Sequence, residues 1–69
     1  MKFINTDWNV TVMFVVVRIA PTGKRFVGLF KSYDDAKQII GAMKINDADT
    51  PNVKYRIEDL NGNTIRWFF

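Results

Sequence analysis

Phe14-Val15-Val16-Val17-Arg18-Ile19-Ala20-Pro21-Thr22-Gly23-Lys24-Arg25-Phe26-Val27-Gly28-Leu29-Phe30 reads as two extended arms joined at Pro21-Thr22-Gly23. β-Branched and aromatic residues dominate both arms, while Pro and Gly supply the turn chemistry between them. A three-residue loop predicts the pairs Val17 with Val27, Val16 with Gly28, Val15 with Leu29 and Phe14 with Phe30. One face of the ribbon then carries Met13, Val15, Val17, Ile19, Val27 and Leu29. The other carries Phe14, Val16, Arg18, Phe26 and Phe30. Both faces are apolar, a pattern that demands cover on each side.

Downstream of this hairpin, Ala36, Ile39, Ile40 and Met43 fall at i, i+3, i+4 and i+7, one stripe of a helical period. Ser32 followed by Asp35 resembles a capping box, and Asp34 and Asp35 suit the positive end of the helix dipole. Gly41 lies off the stripe and reads as a tolerated surface glycine. The polar stretch Asn46 to Asn52, with Pro51, ends the helix. Val53, Tyr55 and Ile57 then alternate with Lys54, Arg56 and Glu58, a half-buried strand. A three-residue loop at Leu60-Asn61-Gly62, with Gly62 left-handed, predicts Ile57 opposite Ile65 and Tyr55 opposite Trp67. That register places Lys54, Arg56, Arg66 and Phe68 together on the far face. The expected architecture is a single α+β domain over residues 1–69, of ββαββ order, with one helix packed on one face of an antiparallel sheet.

Composition narrows the function classes. A chain of 69 residues forms one domain and buries only about 60% of the surface its unfolded form exposes. It contains no His and no Cys, so disulfides, thiolate–imidazole zinc sites, Cys nucleophiles and imidazole acid–base chemistry are excluded. A net charge of +3 permits contact with nucleic acid or an acidic protein without demanding either. The apolar run Val12 to Val17 is too short to span a bilayer, and the N-terminus lacks a signal-peptide layout. The expectation is a cytoplasmic protein with no membrane, metal or cofactor.

Chemistry-bearing patterns dissolve on inspection. Asp47, Asp49 and Glu58 match positions 1, 3 and 12 of a calcium loop, but Pro51 stands at position 5 and Asn52 replaces the glycine at position 6. Gly23-Lys24 resembles the end of a phosphate loop without its upstream glycine, and a hairpin turn accounts for it. Asp34 and Asp35, adjacent on a helix, diverge by about 100° and cannot share a proton. No catalytic residue emerges, and the chain is not expected to be an enzyme.

The decisive feature is the mismatch between two apolar hairpin faces and one helix. Either residues 1–9, with Phe3, Ile4 and Trp8, fold across the second face, or another protein chain does. The partner-binding candidates are Phe14, Val16, Arg18, Phe26, Phe30 and Lys31, an aromatic face with a basic rim. Closure by a homodimer is a further reading of the same face. The alternative is binding of DNA or RNA through Arg18, Lys24, Arg25, Lys54, Arg56, Arg66 and Phe68, cations interleaved with an aromatic ring.

Two resemblances attach to these residues. Arg18 to Ala36, with Gly23-Lys24-Arg25 and Gly28-Leu29-Phe30 ahead of Ser32, is similar to the sheet-to-helix junction of plant ethylene-response-type DNA-binding domains. It also looks like the arm-site-binding domain of phage and transposon integrases. That likeness implies strand residues entering a major groove, here Arg18, Lys24, Arg25 and Trp8. Those families place three strands before one helix, whereas this chain places a hairpin after it. In size and layout the whole chain resembles the small accessory proteins of tailed phages. What that implies is a stoichiometric inhibitor of a host enzyme or defence complex, acting in the host cytoplasm.

Overall fold

The computed structural model describes residues 13–69. Its elements in chain order are β1 (Phe14–Ala20), β2 (Gly23–Phe30), α1 (Tyr33–Asn46), β3 (Lys54–Glu58) and β4 (Thr64–Phe68). The four strands form one antiparallel sheet in the order β2-β1-β3-β4, and α1 packs on one side of it. The ββαββ α+β architecture is therefore the one the sequence implies. The expected cover by residues 1–9 lies outside the described residues.

Helix α1 starts where the cap chemistry places it. Ser32 is extended and its hydroxyl accepts the Asp35 amide at 3.1 Å, with Asp34 and Asp35 in the first turn. Its inner stripe is the predicted one: Ala36 and Ile40 are buried, with Ile39 and Met43 packed beside them. These meet Val16, Tyr55 and Ile57 from the two central strands to make the core. Gly41 stays exposed and nothing crowds it.

The first hairpin departs from the expected register near its turn. Ala20 pairs with Gly23, so the connection is the two residues Pro21-Thr22, and Val17 faces Phe26 where Val27 was expected. A bulge then restores the outer pairs Val16–Gly28, Val15–Leu29 and Phe14–Phe30. The bulge has a packing reason. With one extra residue in β2, both Val27 and Phe30 reach the helix side and pack on the core, which strict alternation forbids. Gly28 makes room for this: a Cβ there would stand 3.3 Å from the Phe30 ring.

The second hairpin also carries a bulge, and here the expected pairing is overturned. The loop Leu60-Asn61-Gly62 forms as anticipated, with the Asp59 amide donating to the Asn63 carbonyl at 2.9 Å and Gly62 at φ 86°. Asp59 also accepts from the Asn61 and Asn63 amides at 2.8 and 2.9 Å, an Asx-type turn. Between Ile57 and Glu58, however, the register shifts, so Ile57 faces Arg66 and Tyr55 faces Phe68. Ile65 and Trp67 consequently point away from the core, and Phe68 packs against it. The expectation assumed that burial would set the register of β4. β4 lies at the sheet edge, where Phe68 is its one residue packed on the core cluster, so little burial is available to decide the matter.

Candidate interaction face of the sheet

Alternation from Val16, Tyr55 and Ile57, which pack with α1, assigns the strand residues to two sides, and Val17 and Glu58, although also buried, fall on the side away from the helix. Facing α1 are Phe14, Val16 and Arg18 of β1, Phe30 and Val27 of β2, Tyr55 and Ile57 of β3, and Arg66 and Phe68 of β4. Four proposed partner-binding residues thus stand under the helix. Val16 is fully buried, Phe14 and Phe30 pack on the core, and Phe14 meets the Tyr33 ring edge-on at 5.9 Å. They are structural because α1 takes the face that Phe14, Val16 and Phe30 occupy. The bulge at Val27 sends Phe26 to the opposite face, and Lys31 is exposed in the β2–α1 connection.

Arg18 is committed as well. Its Nε and terminal guanidinium nitrogens donate to Asp47 at 2.9 and 3.2 Å, a bidentate pair joining β1 to the C-cap of α1. The buried Tyr55 closes the group, its hydroxyl donating to the Met43 carbonyl at 3.2 Å and to Asp47. Hydrogen bonds from Arg18 and then Tyr55 hold the Asp47 carboxyl below its ordinary value. Burial, then the bond to Asp47, pushes the Tyr55 hydroxyl up. The same pair holds the Arg18 guanidinium even more firmly protonated. Asp47 is thereby a strut rather than a calcium ligand, with Glu58 away on β3. Among the described residues no group of three carboxylates, His or Cys could hold a metal ion.

The seven nucleic-acid candidates do not form one surface. Arg18 is paired to Asp47, Arg25 stands opposite Arg18, and Arg66 donates to the Tyr33 hydroxyl at 3.1 Å while lying over the Phe68 ring. Lys24, Lys54 and Arg56 belong to the other side of the sheet.

That other side is where the chain is unusual. The pairing arranges it in three rows across the strands: Leu29-Val15-Glu58-Thr64, Phe26-Val17-Arg56-Trp67, and Lys24-Ile19-Lys54. Phe69 extends the last row, since it stacks on Trp67 at 5.9 Å and carries the Lys54 ammonium over its ring at 5.6 Å. Arg56 lies over the Trp67 ring at 5.3 Å and pairs with Glu58, which is buried. Phe26 is 60% exposed, Leu29 50%, Trp67 39% and Phe69 72%, with Ile65 at 47% beside them in the β4 bulge. Leu29, Ile65, Trp67 and Phe69 were absent from the sequence-derived site. Gly28, a glycine inside a strand, was the signal that β2 changes register and that the faces cannot be read by simple alternation.

Two shallow depressions lie beside the helix. One is lined by Phe30, Asp35, Gln38 and Ile39, the other by Lys44, Asp47, Ala48, Thr50, Val53 and Tyr55. No helix among the described residues is long and apolar enough to cross a membrane. Comparison with protein-family models, with curated proteins and with solved structures finds no match to this chain.

Proposed function

We propose that this domain is a non-catalytic binding protein that docks on another protein through the outer face of its sheet. One observation carries the reading: Phe26, Leu29, Trp67 and Phe69 stand exposed together on a single face, on the side opposite the helix. Each large apolar side chain left in water forgoes roughly 1.5–3 kcal/mol of burial, a heavy loss for so small a core. Phe26 and Leu29 stand on one edge strand and Trp67 and Phe69 at the other edge, with Val15, Val17 and Ile19 of β1 between them, and exposed aromatic and aliphatic side chains shared by one face mark interaction sites. Aromatic anchors supply binding energy once a partner desolvates them, while rim cations steer the encounter. Blockage of a target by simple occupancy needs nothing more, which suits the inhibitor role that the likeness to phage accessory proteins implies.

Nucleic acid is the less favoured occupant. Trp67 and Phe69 already stack on each other and carry Arg56 and Lys54 over their rings, so bases would have to displace existing contacts. The aliphatic Val15, Ile19 and Leu29 offer bases neither stacking nor hydrogen bonds. The test is affinity capture on the immobilised full chain, comparing wild type with Phe26→Ser and Trp67→Ser, both checked for folding by circular dichroism. Capture of a defined protein by wild type, lost in both variants and persisting after nuclease treatment, supports the reading. A captured set identical across the three proteins, or one abolished by nuclease, overturns it.

A further inference from the structure

We infer that the occupant of the outer sheet face is an acidic, apolar-rich polypeptide segment of another protein, its carboxylates meeting Lys24 and Lys54. The inference rests on the docking reading above and adds the chemistry of the partner. Three cations and one carboxylate, Glu58, belong to the described part of this face, a local charge of +2. Glu58 is buried and engaged with Arg56, so it cannot serve the two lysines.

The charges are also placed in order. Lys54, Arg56 and Glu58 alternate along β3, spaced about 6.6–6.8 Å apart. Lys24 and Lys54 share one row on either side of Ile19, which makes that end of the face basic. At the opposite end the β2–β1 half, Leu29 beside Val15, is apolar, while the β3–β4 half carries Glu58 and Thr64. A segment that fits both ends carries large apolar side chains at one end and Asp or Glu at the other.

The other carboxylates of the described residues stand elsewhere. Asp34, Asp35, Asp47 and Asp49 cluster at the two ends of α1, and Asp59 is consumed by its own turn. A second copy placed face to face would set +2 against +2 and Arg56 close to its own symmetry mate, so complementarity favours a different chain.

The test is selection from a random twelve-residue peptide library on the immobilised full chain, run in parallel on Lys24→Glu/Lys54→Glu and on Trp67→Ser. Both lysines are exposed and absent from the core, and thermal melts confirm that each variant folds. The expected result is enrichment of peptides with two or more Asp or Glu beside Phe, Leu, Ile or Trp. Selected peptides bind the charge-reversed variant at least tenfold more weakly and lose binding to Trp67→Ser. Peptides that require Trp67 but show no acidic enrichment overturn the inference and leave the docking reading standing. Peptides indifferent to Trp67, or no selection at all, overturn both. Light scattering that shows a dimer dissolved by Trp67→Ser assigns the face to a second copy, and oligo(dT) binding lost in the charge-reversed variant assigns it to nucleic acid; either overturns the inference.

Discussion

Which side of the sheet the helix occupies can be measured by truncating one residue on each side. Ile57 is fully buried beneath α1, whereas Phe26 is 60% exposed on the outer face. Ile57→Ala removes about three carbon-equivalents from a site packed by Val16, Ala36, Ile40 and Tyr55, and costs about 3 kcal/mol within the usual 2–5 range. Phe26→Ala forfeits only the covered part of its ring, about 1 kcal/mol or less. At about 0.05–0.15 kcal/mol per residue the whole domain is stable by about 3–10 kcal/mol, so the first change removes a third or more of it. A loss of 1 kcal/mol lowers Tm by about 4–8 °C in a domain of this size. Ile57→Ala should therefore melt about 12–24 °C below wild type, and Phe26→Ala within about 8 °C of it. Calorimetry with urea titration as a second probe reads both. Equal losses, or a larger loss for Phe26→Ala, would refute the assignment of faces and with it the location of the docking surface.

Ser32→Ala should cost about 1 kcal/mol by orphaning the Asp35 amide, and Ser32→Asp should restore most of it, as followed by thermal melts. Gly62→Ala should cost about 1 kcal/mol because Gly62 sits at φ 86° in an otherwise uncrowded turn, visible as a lower urea midpoint. The Asp47 carboxyl is held below its unfolded value of about 3.9, so the stability it contributes is present above that pH and is lost as pH falls through the folded value. Asp47→Asn should lower Tm at pH 7 and flatten the acid limb of the stability curve. The Tyr55 hydroxyl is held above its unfolded value of about 10, so its contribution is intact below that pH and lost as pH rises through the folded value. Tyr55→Phe should flatten the alkaline limb.

Local chemistry made much of the fold legible before any coordinates. The 3.6-residue stripe of α1, the Ser32 cap, the left-handed Gly62 and the two-hairpin order depend on neighbours within a few residues, and each appears as read. The calcium-like spacing was set aside on equally local grounds, Pro51 and Asn52 at its fifth and sixth positions, and Asp47 is the C-cap of the helix. The candidate site was less legible. Reading faces by alternation requires an unbroken register, and both hairpins carry a bulge. Each bulge moves residues to the opposite side, so Phe26 changed places with Val27, and Ile65 and Trp67 with Arg66 and Phe68, relative to the expected arrangement. Arg18 likewise reads as a strand cation until the helix end brings Asp47 to it across 29 positions.

What the amino-acid order determined alone is that more apolar surface exists than one helix can cover. Only the tertiary structure decided which surface is left over. The choice depends on where a single extra residue enters a strand and on how far the helix reaches across the sheet. Both are settled by packing the Phe30, Val27 and Phe68 side chains simultaneously against α1 and the central strands, and no one segment encodes that compromise.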